Sequence, residues 1–122
     1  MDKIRVVLVD DNKMVREGLA QLLRWEPDIE VAGQASDGET ALELIRRTRP
    51  DVVTMDIHLP GMSGIEAIKA IHAEFPEVRV IVLSIFEKED IADSARAAGA
   101  VDYVTKSGPA TDLLEAIRAA MR

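Results

Sequence analysis

The chain has 122 residues, 48% of them hydrophobic, and carries a formal net charge of −7 at pH 7 with no cysteine. This length and apolar content predict a single domain with a core of its own. The lack of cysteine excludes disulfides and thiolate metal sites, and the negative charge disfavours binding to nucleic-acid phosphates or anionic membranes.

Five short runs rich in Val and Ile predict the strands of a buried parallel sheet. In chain order these runs are Ile4–Val9, a weaker run at Ile29–Ala35, Val52–Met55, Val78–Leu83 and Val101–Val104. The amphipathic stretches between them are long enough for helices, so strands and helices alternate along the chain. Right-handed crossovers then bring the C-terminal ends of all the strands to one edge of the sheet.

The first helix is predicted to begin after Asn12, a candidate N-cap residue. We expect one apolar face of this helix to turn inward, and Trp25 at its end to pack against the protein. The predicted inward face consists of Met14, Val15, Leu19, Leu22 and Leu23.

The next two helices are predicted from capping boxes. Ser36 with Glu39, and Ser63 with Glu66, both fit the pattern in which a hydroxyl and an acidic side chain three residues later satisfy the first turn.

Polar residues stand just after four of the apolar runs, at the edge where the strands end. They are Asp10, Asp11, Asp56, Ser84 and Lys106. In open parallel sheets, binding sites form at this edge, at the point where the strand order reverses. We therefore predict a functional site built from these five side chains.

Asp10, Asp11 and Asp56 would bring three carboxylates together without a histidine or cysteine ligand. Like charges raise one another's pKa unless a cation lies between them. A donor set made only of oxygen favours a hard ion such as Mg²⁺. An adjacent acidic pair also occurs as a simple strand end and helix cap, but Asp56 and Lys106 on the same edge favour the metal site.

Asp56 ends an apolar run and is followed by the turn residues Pro60 and Gly61, which predicts a side chain held out at the edge as a nucleophile. Attack on phosphorus would give an aspartyl phosphate, and the metal and Lys106 would neutralise charge on the transferred group. Ser84 offers a hydroxyl to a phosphoryl oxygen. Taken singly, Ser84 and Lys106 are also compatible with strand-end residues in solvent.

The order of these residues resembles the response regulator receiver domains of two-component signalling, also called CheY-like, over essentially the whole chain. That family has an acidic pair after the first strand, an acceptor Asp after the third, a Ser or Thr after the fourth and a Lys after the fifth. The matching residues are Asp10 and Asp11, Asp56, Ser84 and Lys106. The resemblance implies an α/β fold over residues 1–122, a doubly wound (βα)5 flavodoxin-like domain with five parallel strands in the order 2-1-3-4-5.

The resemblance also implies a role for each site residue. Asp56 would accept a phosphoryl group from a histidine kinase, and Lys106 would pair with the phosphoryl oxygens. Asp11, Asp56 and the backbone carbonyl of His58 would bind Mg²⁺, with Asp10 assisting. Apart from self-phosphorylation by a donor and slow self-hydrolysis, we expect no enzymatic activity.

Two stretches, 56–64 and 99–107, look most like receivers of the NarL/FixJ group. Such receivers usually precede a LuxR-type helix-turn-helix domain, so we expect the N-terminal part of a transcriptional regulator that reaches DNA only through an effector domain absent from this chain. A stand-alone receiver is the alternative. The sequence shows no signal peptide or long apolar span, which predicts a cytoplasmic protein without membrane contact.

Phosphorylation is expected to work as a switch, because a phosphoryl group adds roughly −1.5 to −2 charges at neutral pH and new acceptor oxygens. We expect Ser84 to be drawn inward to donate to it. In receivers this movement opens space for an aromatic residue on the fifth strand, a position that Tyr103 matches, so Tyr103 would move from exposed to buried. The changed surface would comprise the fourth helix, fifth strand and fifth helix, the usual receiver dimerisation face, which implies a phosphorylation-dependent homodimer.

Three departures from the common receiver pattern concern neighbours of the site. Ser107 follows Lys106 where many receivers have Pro, which leaves a cis bond there as an open question. Ser84 lacks the methyl group of the more usual Thr. His58 and Phe86 are variable neighbours that flank the path of an attacking water.

A phosphatase of the haloacid dehalogenase type is the alternative from a different class, since it uses the same metal and nucleophile chemistry. Its Asp-x-Asp pattern after the first strand differs from the adjacent Asp10 and Asp11, and the sequence has no cap segment. A flavodoxin-like redox carrier is disfavoured because no Ser/Thr/Gly-rich phosphate loop follows the first strand.

Overall fold

The computed structural model describes residues 2–84 and 89–122, with the backbone alone described at 89 and 90. Strands and helices alternate along the chain, as the sequence predicts. The strands are β1 (Ile4–Val9), β2 (Ile29–Ala35), β3 (Val52–Asp56), β4 (Arg79–Ser84) and β5 (Asp102–Thr105). The helices are α1 (Lys13–Arg24), α2 (Gly38–Thr48), α3 (Gly64–Glu74), α4 (Glu89–Ala98) and α5 (Ala110–Ala120).

The strands form one parallel sheet in the order β2-β1-β3-β4-β5, which confirms the predicted fold class and topology. Three strands end one residue later than predicted, at Asp56, Ser84 and Thr105. A shift of one residue at a strand end is ordinary, and here it places Asp56 and Ser84 within the strands. The site residues on β3 and β4 are therefore held by the sheet itself.

The sheet separates two apolar layers. Successive residues of β1 alternate between them: Val7 and Val9 pack with α2, α3 and α4, whereas Val6 and Leu8 pack with α1 and α5. Because both faces of β1 are covered from Val6 onward, the strand is apolar from Val6 to Val9. The positions of the strand ends are thus fixed from both sides.

Helix α1 starts as predicted, since the side-chain oxygen of Asn12 accepts a hydrogen bond from Val15 N at 3.1 Å. Two expectations for this helix are wrong. Met14 and Trp25 are each 84% exposed, instead of packing inward. Both lie at the ends of α1, and single apolar side chains are often exposed on protein surfaces.

The N-cap of α2 is Asp37, so the predicted capping box at Ser36 and Glu39 is wrong by one residue. The Asp37 carboxylate accepts hydrogen bonds from the backbone N–H and the hydroxyl of Thr40, at 2.8 and 3.1 Å. These bonds hold the pKa of Asp37 below its ordinary value. A carboxylate caps at least as well as a hydroxyl, and here it also lies at the positive end of the helix dipole.

The predicted cap of α3 is confirmed. Ser63 Oγ accepts a hydrogen bond from Glu66 N at 3.2 Å, and Ser63 donates to the Glu66 carboxylate at 3.3 Å. This cap fixes the point at which the loop after β3 turns into α3.

None of the helices in the described part of the chain combines the length and apolarity needed to cross a lipid bilayer.

The loop after β3 is held against the start of α3 by a close approach of backbones. Gly64 N donates to the Ile57 carbonyl at 3.1 Å. A Cβ added at Gly64 would lie 2.6 Å from both the Asp56 carbonyl oxygen and the Ile57 Cα atom. Only glycine allows this packing, and the loop that follows Asp56 is positioned by it.

We expect Gly64→Ala to lower the free energy of unfolding by about 1 to 3 kcal/mol, because backbone must move to admit the methyl group. Gly18→Ala is the matched control. It lies within α1 with nothing inside 4 Å of the added Cβ, so it should stabilise the chain by about 0.5 to 1 kcal/mol. Urea denaturation measures both. A Gly64→Ala variant as stable as the wild type would contradict the assigned role of this contact.

Candidate functional site

The predicted site residues lie together at the C-terminal edge of the sheet. Asp10 follows β1, Asp56 and Ser84 are the last residues of β3 and β4, and Lys106 follows β5. The strand order reverses between β1 and β3, and the carboxylates of Asp10 and Asp56 flank this point. Open parallel sheets place their binding sites at such a switch point.

Three carboxylates meet there as the sequence predicts. One oxygen from each of Asp10, Asp11 and Asp56 lies within 4.8 Å of the others. Asp10 and Asp56 are buried, at 2% and 6% exposed, whereas Asp11 faces solvent. The site is thus open on one side, toward Asp11.

Lys106 is the cation of the site. Its ammonium lies 2.6 Å from Asp10 Oδ2 and 3.5 Å from Asp56 Oδ2, and the side chain is 16% exposed. The three carboxylates and this ammonium together carry a net charge of −2 when all are ionised. One ammonium is therefore insufficient to neutralise the cluster, and the remaining negative charge favours a further cation.

The residues present fit a hard divalent ion. Asp10 Oδ2 is buried and has no directed hydrogen bond within the described residues, since Lys106 faces it only as an ion pair. The donor set is made of carboxylate oxygens, the ligands that Mg²⁺ prefers, and the exposed Asp11 leaves space for waters that the ion retains. The His58 carbonyl stays a predicted ligand.

Asp56 sits in an environment that disfavours its charge. Its pKa lies above the ordinary value, first because of burial, with a smaller rise from the charges of Asp10 and Asp11. Two contacts oppose the rise in pKa: His58 N donates to Asp56 Oδ1 at 3.1 Å, and the Lys106 ammonium attracts the carboxylate. A cation at the site would favour the ionised form that nucleophilic attack requires.

Ser84 and Tyr103, which the sequence predicts to be switch residues, lie on neighbouring strands. Ser84 is buried at the end of β4, and its carbonyl accepts a hydrogen bond from Lys106 N at 2.6 Å. Tyr103 on β5 is half-buried and packs against the apolar layer formed with α2, α3 and α4. The backbones on either side of the site are thus directly connected.

Three further predictions concerned the neighbours of the site: His58, Phe86 and the peptide bond from Lys106 to Ser107. The His58 side chain is exposed. No peptide bond of the described segments is cis, and these segments include the bond from Lys106 to Ser107. Phe86, predicted to flank the path of water, lies outside the described residues.

Arg16 is a site neighbour that the sequence reasoning missed. Its guanidinium donates to the Asp10 carbonyl at 2.7 Å and to the Gln34 side chain at 3.3 Å. The available signal was a charged residue placed between Val15 and Leu19, on the inward side of an amphipathic helix.

Residues 6–118 match the family model described as the response regulator receiver domain. Among curated proteins, the transcriptional regulatory protein LiaR of Bacillus subtilis is 45% identical over 119 residues, which is 98% of this chain and 56% of that protein. The chain therefore spans about half the length of this relative.

Solved structures agree with this match. A LuxR-family two-component response regulator from Aurantimonas sp. SI85-9A1 superposes with a TM-score of 0.93 at 39% identity, covering 97% of this chain and 84% of that chain. The signal receiver domain of NarL from Mycobacterium tuberculosis gives a TM-score of 0.93 at 33% identity, covering 99% and 98% of the two chains.

The raised pKa of Asp56 gives a stability prediction. Since the folded-state pKa lies above that of the unfolded chain, stability falls as pH rises between the two values, and the ionised carboxylate destabilises the fold at neutral pH. In the absence of divalent ions, we expect Asp56→Asn to raise the Tm at pH 7.5 by about 3 °C.

This gain should shrink toward zero as the pH falls below about 3.9, the ordinary Asp pKa, because wild-type Asp56 is then neutral as well. Calorimetry in EDTA measures both effects. Asp93→Asn, which removes an exposed carboxylate of α4, is the control and should leave the Tm unchanged. A lower Tm for Asp56→Asn at pH 7.5 would show that the carboxylate stabilises the fold.

Proposed function

Because the chain belongs to the response regulator receiver domain family of two-component systems, we propose that Asp56 is the residue that accepts a phosphoryl group from a histidine kinase. The observation that carries this proposal is the placement of Asp56. It is a buried carboxylate whose oxygen lies within 4.8 Å of those of Asp10 and Asp11, with the Lys106 ammonium 3.5 Å away.

Receiver domains bind Mg²⁺ at an acidic pocket, and the three aspartates form such a pocket here. We assign the ion to Asp11, Asp56 and the His58 carbonyl, with Asp10 assisting through its buried carboxylate. When bound, the ion neutralises charge on the transferred group. The exposure of Asp11 supports this assignment, because a ligand in contact with solvent can bind an ion that keeps some of its waters.

In the proposed reaction, an Asp56 oxygen forms a bond to phosphorus as the bond from phosphorus to the donor histidine nitrogen breaks. The electron pair of that bond leaves with the donor imidazole. Lys106 already lies beside Asp10 and Asp56, so it can contact a phosphoryl oxygen after only a small movement. Positioning and charge stabilisation supply most of the catalysis in phosphoryl transfer.

The product carries a phosphoryl group where a carboxylate oxygen was, and we propose that Ser84 donates a hydrogen bond to it. Ser84 lies at the end of β4, next to β5, so its movement would make room for the Tyr103 ring to turn inward. The surface of α4, β5 and α5 would change with it and form a homodimer contact. This is a population shift between two arrangements of one fold.

The output of the protein is proposed from its relatives. LiaR is a transcriptional regulatory protein of which this chain spans 56%, and a LuxR-family response regulator of known structure is similar, so we propose that residues 1–122 are the receiver domain in the N-terminal part of a transcriptional regulator. DNA would then be contacted only by an effector domain absent from this chain. A stand-alone receiver is the alternative. Response regulators are generally cytoplasmic, and we propose the same location here.

Receiver domains are not in general enzymes, and we propose that this chain catalyses only its own phosphorylation and slow hydrolysis. The match to the receiver family over residues 6–118 leaves no observation in favour of the haloacid dehalogenase alternative.

Incubation with acetyl phosphate and Mg²⁺ should add one phosphoryl group, detected by intact mass. We expect the adduct to be lost in Asp56→Asn and when EDTA is added, because the acceptor or the metal is then missing. Asp93→Asn, which removes an exposed carboxylate, is the matched control and should be labelled like the wild type. An adduct that persists in Asp56→Asn would place the acceptor elsewhere.

The switch can be tested at its single tyrosine. Because the chain has one Tyr, 3-fluorotyrosine gives one ¹⁹F resonance, that of Tyr103. We expect phosphorylation to shift this resonance as the ring becomes more buried, and expect a smaller shift in Ser84→Ala, whose phosphoryl group lacks the hydroxyl donor. Asp56→Asn treated identically is the control. A resonance unchanged in fully phosphorylated protein would rule out Tyr103 as a switch residue.

A further inference from the structure

Asp10 is held at each of its polar atoms. Its N–H donates to the Ala35 carbonyl at 3.1 Å, and Asp10 Oδ1 accepts from Asn12 N at 2.9 Å. Asp10 Oδ2 faces the Lys106 ammonium, and the Asp10 carbonyl accepts from Arg16 Nη1 at 2.7 Å. Three of these four contacts come from Asn12 in the loop after β1, from Ala35 on β2 and from Lys106. The fourth comes from the first turns of α1, through Arg16.

Arg16 is itself anchored on the sheet. Its Nε donates to the Gln34 side chain at 3.3 Å, and Gln34 is the residue before the last of β2. Both residues are half-buried. A guanidinium presents several donors in one rigid plane, so one side chain can bond the end of β1 and the end of β2 together. A lysine has no such fork.

The bond to the Asp10 carbonyl sets the orientation of the next residue. The Asp10 carbonyl and the Asp11 N–H belong to one planar peptide unit, so a hydrogen bond that fixes the direction of the carbonyl also fixes the orientation of the peptide plane that leads into Asp11. Asp11 is exposed, whereas Asp10 is buried by its neighbours. The direction of the Asp11 carboxylate therefore depends on its backbone more than the direction of the Asp10 carboxylate does.

We propose that Arg16 is a positioning residue, which holds the Asp10–Asp11 peptide so that the Asp11 carboxylate faces Asp56 for a divalent cation. This role rests on the proposed function, because it concerns the same metal site. Arg16 acts through the Asp10 carbonyl and touches neither the ion nor the phosphoryl group. Partners that orient metal ligands in this way typically contribute about 10- to 100-fold to metal affinity.

The test is the Mg²⁺ affinity of Arg16→Met, measured by isothermal titration calorimetry on the folded chain. We expect the Kd to rise about tenfold. Gln34→Ala removes only the anchor on β2 and should raise the Kd by about threefold. The double variant should bind no more weakly than Arg16→Met, since both side chains act through one contact. Arg24→Met, an exposed arginine of the same helix, is the control and should bind like the wild type.

A second readout separates positioning from a general loss of structure. The Mg²⁺ concentration giving half the maximal rate of phosphorylation by acetyl phosphate should rise about tenfold in Arg16→Met, whereas the rate at saturating Mg²⁺ should stay within twofold of the wild type. Partial unfolding would instead lower the maximal rate and leave the half-saturating concentration unchanged. If Arg16→Met does not fold, Arg16→Lys and Gln34→Ala provide the same comparison.

A folded Arg16→Met with wild-type Mg²⁺ affinity would overturn the role of Arg16, as would an equal loss in Arg24→Met. If the wild type binds Mg²⁺ and is phosphorylated while Arg16→Met behaves like it, the receiver function stands and only this inference fails. A wild type that neither binds Mg²⁺ nor accepts a phosphoryl group would overturn both.

Discussion

Repulsion among three carboxylates at one edge of the sheet is the constraint on which the rest of the site depends. In a flexible chain these groups would move apart, but Asp56 is the last residue of β3 and Asp10 follows β1 directly. Those strands are held by apolar layers on both faces. The packed core therefore offsets an electrostatic cost that one lysine relieves only in part. The site is prepared for added positive charge, which is what a metal ion supplies.

The same lysine links this charge cluster to the other side of the sheet edge. The Lys106 side chain faces Asp10 and Asp56, while its backbone N–H is bonded to the carbonyl of Ser84. Any change that draws the ammonium toward a new anion thus acts on the end of β4 as well as on β5. A shared element of this kind is one physical route by which two parts of a site can change together.

The fold, and the placement of the predicted site residues at one edge of the sheet, were predictable because both follow from local patterns. Short β-branched runs identified five strands, and the polar residues at their ends identified the edge where they meet. The prediction of the N-cap of α2 was wrong because two neighbouring residues can fill that role. Ser36 and Asp37 are both competent N-caps, and only the tertiary path of the chain selects Asp37.

Other features depend on contacts that no local pattern contains. The burial of Asp10 and the exposure of Asp11 distinguish two identical adjacent residues, and only the buried one is contacted by Lys106 and by the backbone of Asn12 within the described residues. The Arg16 contact joins α1 to β2 across 18 residues of chain. Met14 and Trp25 lie at the ends of α1 and fit the period of its apolar residues. This period alone cannot show whether the rest of the protein extends far enough to cover their side chains.

The exposed Trp25 has a spectroscopic consequence. Helix α1 begins just after Asp10 and Asp11 and runs for 12 residues, so its far end lies about 18 Å from its start. The indole is 84% exposed there, and it is the only one in the chain. The ring is therefore already in water, and it is remote from the carboxylates. Tryptophan fluorescence of this protein will therefore report the covering of that end of the molecule by another surface, and will be blind to events among the aspartates.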